Sequence, residues 1–261
     1  MLLAIDVGNT QTVVGVYDQD GDMTVADGGL VGPWRLSTVH GRTEDEFGVL
    51  IGGLLVSAGL RWRDIGGVAI TSGVAHLTST LRRMVDRQTD VEPVVVGPGV
   101  KSGLAIRYDN PREVGPDRIA NGAAVFDLYG GPSIVVDFGT ATTLDAVSAD
   151  GEYLGGAISP GVEISLKALV GKAAALSTVE LVEPRNVIGR NTTESIRSGV
   201  LYGYAAQVDG MAARFEAEIG EATVVATGGL AGWISPHTTV VDEVEPWLTL
   251  HGLRLIWQRN R

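Results

Sequence analysis

The sequence predicts an α/β fold made of two similarly built domains, and three observations carry that prediction. The first is a repeat. Ile5-Asp6-Val7-Gly8-Asn9-Thr10-Gln11-Thr12 is matched, half a chain later, by Val136-Asp137-Phe138-Gly139-Thr140-Ala141-Thr142-Thr143. In each copy an apolar strand is followed by Asp, one apolar residue, Gly, small polar residues and a second strand. The period is too long for a solenoid and suggests two domains facing each other across a cleft. The second observation is alternation of short β-rich runs with segments of helical spacing. The third is glycine, 36 of 261 residues, about twice the average share of roughly 7%. Many tight turns and close backbone approaches use glycine in this way. No linker rich in Pro or Ser separates the halves, so the division is drawn at 1–114 and 115–261, with a continuous interface expected between them.

The elements follow in order. Leu2–Val7 and Thr12–Tyr17 read as a β-hairpin opening a sheet. Thr43-Glu44-Asp45-Glu46 has the pattern of a capping box and starts a helix running to about Ser57. Val68–Thr71 and Val94–Val96 are β-rich; between them Leu77, Leu81, Met84 and Val85 recur at helical spacing. Ile119, Ala123 and Phe126 predict a helix after Asp117. Ile134–Val136, Thr142–Val147 and Tyr153–Ile158 read as strands joined by Gly-rich turns. A long helix is expected from Thr192 to about Glu218, with Ile196, Val200, Tyr204, Val208, Met211 and Phe215 on its buried face. Thr223–Ala226 is a further strand, and Pro246 to Arg261 a final helix.

Composition excludes several chemistries. The chain has no cysteine, which removes disulfides, thiolate metal sites and cysteine nucleophiles. A net charge of -11 argues against general nucleic-acid binding. The N-terminus lacks a basic region and its apolar run is broken by Asp6; the uncharged stretch Phe47 to Leu60 is too short to span a bilayer. A cytoplasmic protein is the simplest expectation, with neither a membrane nor a nucleic acid as partner. The sequon at Asn191 is then read as a helix start. The four histidines, His40, His76, His237 and His251, have no metal-ligand spacing and read as surface or incidental residues. No P-loop and no nucleophile elbow is present, and Gly97 to Gly103 reads as a turn-rich connection rather than a dinucleotide loop.

What remains is the pair of hairpins. A Gly in a tight hairpin lets backbone N–H groups face an anion, threonine hydroxyls add donors, and an Asp on the preceding strand holds the accompanying cation. The alternative is an Asp that merely satisfies its own turn; two copies at matching places weigh against that. The segment from Tyr108 to Arg118 is dense in polar groups. There Asp117 and Arg118 offer a proton acceptor beside a bidentate carboxylate clamp. Spacing alone favours the plainer reading, in which Asp117 is the N-cap of the following helix.

Further motifs add a resemblance. DVGNT at 6–10, WRLST at 34–38, RTEDEF at 42–47, YDNPREVGPDRIANG at 108–122, VDFGTATTLD at 136–145, GGAISPGV at 155–162, GRNTTESIRSG at 189–199, ATGGLA at 226–231 and PWLTLHGL at 246–253 run through nearly the whole chain. Together they resemble the type III pantothenate kinases, of the actin-like ATPase superfamily that includes sugar kinases, acetate kinase and actin. Gln11 and Pro116 depart from the commoner Asn and Ala of the family without removing a functional group. The resemblance implies two actin-like (ribonuclease H-like) domains and ATP-dependent phosphorylation of pantothenate to 4′-phosphopantothenate, the first step towards coenzyme A. It implies that Asp6, Val7, Gly8, Asn9, Thr10, Gln11, Thr12 and Val13 hold ATP together with Thr140. It places Asp6 near the divalent cation, Mg²⁺ with ATP, and makes Asp137 the ligand of a monovalent cation, K⁺ or ammonium. Asp117 is the catalytic base by the same resemblance. Tyr108, Gly115, Pro116, Arg118 and Thr192 join Asp117 as pantothenate contacts. A homodimer is implied as well. The competing readings are another small-molecule kinase or phosphatase on this fold, which would lack the clamp beside the base, and a non-catalytic regulator, which would have lost an acidic site residue.

Overall fold

In a computed structural model, which describes residues 1–18, 21–172 and 179–261, the first apolar run is buried on both sides, as a strand in the middle of a covered sheet must be. It forms β1 (Leu2–Val7), which pairs antiparallel with β2 (Gln11–Tyr17); β2 pairs antiparallel with β3 (Leu30–Ser37). Next comes α1 (Glu44–Ser57), started by Thr43, whose Oγ1 accepts from Glu46 N while Glu46 reaches back to Thr43 N. Then β4 (Gly67–Ser72), α2 (Ala75–Gln88) and β5 (Val94–Val95) add parallel strands beside β1, giving the order β3-β2-β1-β4-β5. Leu77, Leu81, Met84 and Val85 form the buried face of α2 as their spacing predicts. β6 (Ala105–Ile106) and α3 (Pro116–Tyr129) follow.

The second copy repeats the plan. β7 (Ser133–Phe138) and β8 (Ala141–Val147) are an antiparallel hairpin, and β9 (Glu152–Pro160) lies beside β8. After α4 (Val162–Lys172) and α5 (Thr192–Ile219), β10 (Thr223–Thr227) joins parallel to β7. Then come α6 (Ala231–Ile234), β11 (Glu243–Val244), parallel to β10, and α7 (Leu248–Asn260). The order β9-β8-β7-β10-β11 repeats that of the first sheet, with the short β6 added in parallel beyond β9. The repeat seen in sequence is thus a repeat of topology.

The chain packs as two units. Unit 1 is Met1–Gly130, Gly151–Tyr153 and Trp247–Arg261; unit 2 is Gly131–Asp150 and Leu154–Pro246. The division at 114 and 115 follows the sequence repeat, whereas packing groups α3 and α7 with the first sheet. In unit 1 one face of that sheet buries Leu3, Ile5, Val7, Val14 and Val16 against α1 and α2. The other face buries Leu2, Ala4, Tyr17 and Ala69 with Ile119 and Ala120 of α3 and Leu250, Leu253 and Ile256 of α7. Two glycines let these layers close. A Cβ on Gly67 would strike the Trp257 ring, and one on Gly252 the backbone of Ala120. Arg254, 2% exposed, donates to the carbonyls of Gly21, Asp22 and Gly28 and lies over the Tyr17 ring, which ties those residues to α7.

Two expectations are corrected here. The buried stripe of α5 is Leu201, Ala205, Val208 and Ala212, not the one read from the larger side chains. Of the expected residues only Val208 is fully buried; Val200, Tyr204, Met211 and Phe215 flank the core. The long helix is apolar on two sides, and small residues let it sit close to β7, so size is a poor guide to the inner face. His251 is also not at the surface. It is 0% exposed, with Nε2 3.2 Å from Asp127 Oδ2, and burial pushes its pKa down against the carboxylate's upward pull.

Candidate active site

The register of unit 1 decides what stands beside Asp6. Asp6 is opposite Thr71 on β4 and Val13 on β2, and Val13 is opposite Arg35 on β3. Cross-strand partners share a face, so Thr71, Asp6, Val13 and Arg35 make one row across four strands. Val13 packs with residues of α3 and α7, which places the row on that side of the sheet. Thr71 Oγ1 donates to Asp6 Oδ1 at 2.5 Å. Arg35 is held with Cζ 4.8 Å from the centroid of the Trp247 ring.

Burial pushes the Asp6 carboxyl up to about 7. The Thr71 hydrogen bond opposes that rise, the Asp117 charge adds to it, and the Arg35 charge reduces it. Asp6 and Asp117 therefore sense each other. Two carboxylates in such a place suit a hard divalent cation, which takes oxygen ligands. Among the described residues no group of three or more Asp, Glu or His side chains converges. A cation at Asp6 would complete its shell from phosphate and water, which fits the Mg²⁺ that accompanies ATP.

The first hairpin is closed by Gly8 N donating to Gln11 O at 2.9 Å. Thr38, at the end of the WRLST block, pins it. Thr38 Oγ1 donates to Gly8 O at 2.8 Å, Thr38 N donates to Thr10 O at 3.0 Å, and the Thr12 and Thr38 hydroxyls are 2.9 Å apart. Asn9, Thr10 and Gln11 are left exposed at the tip, while Val7 and Thr12 are buried and shape the turn from within.

At α3 the N-cap is Gly115, Pro116 is the first helical residue, and Asp117 lies in the first turn. This corrects the cap reading of Asp117. Its Oδ1 instead accepts from Arg118 N at 2.9 Å, and a side chain on Gly115 would run into that oxygen. An acidic residue in the first turn complements the helix N-terminus. Arg118 is 7% exposed, with Cζ 5.9 Å from the Tyr153 ring centroid, and Tyr153 meets Tyr108 with ring centroids 6.4 Å apart. Tyr153 was outside the expected set; only its pairing beside β6 reveals it.

The remaining expected residues lie in unit 2. Asp137 occupies the place in β7 that Asp6 has in β1, in register with Thr227. Its carboxylate lies against Gly228, which has φ +92° and no room for a Cβ. In the second hairpin Gly139 N donates to Ala141 O at 3.0 Å and Gly161 N to Thr140 O at 3.1 Å, with Thr140 exposed. Thr192 begins α5 behind its N-cap Asn191 and lines an open groove of about 560 Å³ with Leu169, Ile196, Val200 and Tyr204.

The fold is that of the sugar kinases and actin-like ATPases. A conserved Campylobacter jejuni protein described as a Baf family transcriptional activator aligns with a TM-score of 0.61 at 18% identity, covering 99% of this chain and 98% of that one. The inorganic polyphosphate/ATP-glucomannokinase of an Arthrobacter species aligns with a TM-score of 0.51 at 13% identity, covering 98% of each chain. These likenesses define the fold class. The family is set by sequence. The type III pantothenate kinase family model matches residues 2–214. The type III pantothenate kinase of Moorella thermoacetica is 51% identical over 261 residues, covering 100% of both chains. That of Streptomyces griseus is 51% identical over 269 residues, covering 100% of this chain and 98% of the relative. The chain belongs to the type III pantothenate kinase family.

Proposed function

We propose that this protein transfers the γ-phosphoryl group of ATP to the primary hydroxyl of pantothenate, giving 4′-phosphopantothenate, with the site residues acting as follows. The observation that carries the reading is geometric: Asp6 is held by Thr71 in a row with Arg35, in the same unit that sets Asp117 and Arg118 at the start of α3. Phosphoryl transfer asks mainly for positioning and charge neutralisation. The hairpin from Asp6 to Val13 presents backbone N–H groups and polar side chains to the ATP phosphates, and Mg²⁺ beside Asp6 would offset their charge. Asp117 accepts the proton of the attacking hydroxyl. Arg118 holds the pantothenate carboxylate in its bidentate fork, with Tyr108, Gly115 and Pro116 beside it. The chain has only three lysines, Lys101, Lys167 and Lys172, which leaves arginine to do this work. Consumption of ATP by the purified protein, with pantothenate set against sugars and short carboxylic acids, tests the assignment; turnover with a sugar and none with pantothenate would refute it.

Asp137 holds K⁺ or ammonium, and Thr140 contacts ATP nearby. The carboxylate lies close beside Gly139 and Gly228 and supplies the oxygen ligand. Activity is expected to be low in Na⁺ or Tris and to rise with K⁺ or ammonium at fixed Mg²⁺. Asp137→Asn should blunt that response and raise KM for ATP. Wild-type activity indifferent to K⁺ would remove the cation assignment, and identical titrations for the two proteins would move the site elsewhere.

Arg118→Lys keeps charge but loses the fork. It should raise KM for pantothenate and leave KM for ATP nearly unchanged; two unchanged values would return Arg118 to a packing role on Tyr153. The protein acts as a two-fold homodimer, the commonest closed symmetry, supported by the apolar groove of α4 and α5 that Thr192 enters. It works in the cytoplasm. No described helix is long and apolar enough to cross a membrane.

A further inference from the structure

Strand β4 is apolar and fully buried from Gly67 through Ile70, and its next residue, Thr71, is 0% exposed yet carries a hydroxyl. A buried hydroxyl needs a partner. The partner is the Asp6 carboxylate, 65 residues away in sequence and directly opposite in the parallel register of β1 and β4. Thr71 is the side chain that hydrogen-bonds Asp6 among the described residues. Threonine is stiff at χ1, so the bond fixes one carboxylate oxygen, Oδ1, and leaves Oδ2 for other work. Valine would fill the same space without an unsatisfied hydroxyl if packing were the whole purpose.

The second unit supplies an independent observation. Asp137 on β7 stands in the same parallel register opposite Thr227 on β10, and Thr227 is 2% exposed. The flanking residues differ, Ile70 and Ser72 in one copy and Ala226 and Gly228 in the other. The Asp–Thr pairing across these two strands is what both copies keep.

We propose that Thr71 is a positioning residue for the reaction, one that acts through Asp6 by fixing the orientation of its carboxylate toward Mg²⁺–ATP. The inference rests on the placement of Asp6 at that end of the site. Groups that orient a metal-facing carboxylate are worth about 10–100-fold in affinity, because Mg²⁺ tolerates little departure from its preferred geometry.

The test measures Mg²⁺–ATP binding by calorimetry without pantothenate, alongside steady-state kinetics and melting temperature, for Thr71→Val, Thr71→Ser, Asp6→Asn and the Asp6→Asn, Thr71→Val double variant. Thr71→Val should weaken Mg²⁺–ATP by about 10–100-fold and leave KM for pantothenate unchanged, with no fall in melting temperature. Thr71→Ser should restore binding. In the Asp6→Asn background, adding Thr71→Val should change nothing further. Wild-type binding by Thr71→Val, with Asp6→Asn weakened, overturns the role of Thr71 alone. Wild-type binding by Asp6→Asn overturns the placement of Asp6 as well. Loss in Thr71→Val that Thr71→Ser does not restore, with a lowered melting temperature, makes Thr71 a packing residue and also overturns the proposal.

Discussion

Asp117→Asn is expected to lower kcat by about 10²–10⁴ with little change in melting temperature. Asparagine has the same shape, and its Oδ1 can still accept from Arg118 N, the hydrogen bond that Asp117 makes at 2.9 Å. The helix start keeps its own cap at Gly115. What is lost is the proton acceptor, together with a helix-terminus interaction worth about 0.3–1 kcal/mol. The substitution also removes a like charge that raises the Asp6 carboxyl, so Asp6 should titrate lower in the variant. Steady-state kinetics with a thermal scan check the expectation. A fully active variant with an intact fold would leave Asp117 no part in proton transfer.

Gly252→Val should produce a large loss of stability in unit 1. A Cβ at this position meets the carbonyl and Cα of Ala120 on α3, and backbone atoms cannot rotate aside. The helices must separate, and α3 carries Asp117 and Arg118 at its start. Overpacking of this kind costs about 1–3 kcal/mol, occasionally more, which lowers the melting temperature by roughly 2–12 °C. Gly53→Ala on α1 is the control. Nothing stands within 4 Å of a Cβ there, so the change should stabilise by about 0.5–1 kcal/mol. Equal melting temperatures for Gly252→Val and the parent would show that the α3–α7 contact tolerates a shift.

Local signals in the sequence were legible because they are self-contained. The capping box at Thr43, the periodicity of α2, the two hairpins and the Asn191 helix start each fit within one element. The candidate acids at 6, 117 and 137 were found because a repeat and a family pattern point to them. The partners of those acids were not legible. Thr71 reaches Asp6 only through the pairing of β1 with β4, and Arg35 reaches the row only through two further registers. The inner face of α5 was misjudged because Leu201, Ala205 and Ala212 bury well while being smaller than the tyrosine and phenylalanine beside them. Nothing within the final helix marks His251 or Arg254 as buried. Their burial follows from α7 packing on α3, β1 and β4, contacts that span most of the chain.

That packing has a consequence for how the protein is made. A ribosome delivers β1 and β4 early and α7 last, with all of unit 2 between. At about 5–20 residues per second, the first sheet waits on the order of ten to forty seconds for the helix that covers Leu2, Ala4, Tyr17 and Ala69. Unit 2 needs nothing synthesised after Pro246. The half that begins later is therefore the half that can fold first. The nascent chain must carry an open β-sheet past a newly completed sheet of the same strand order, which makes mispairing between the two copies the characteristic hazard of its translation.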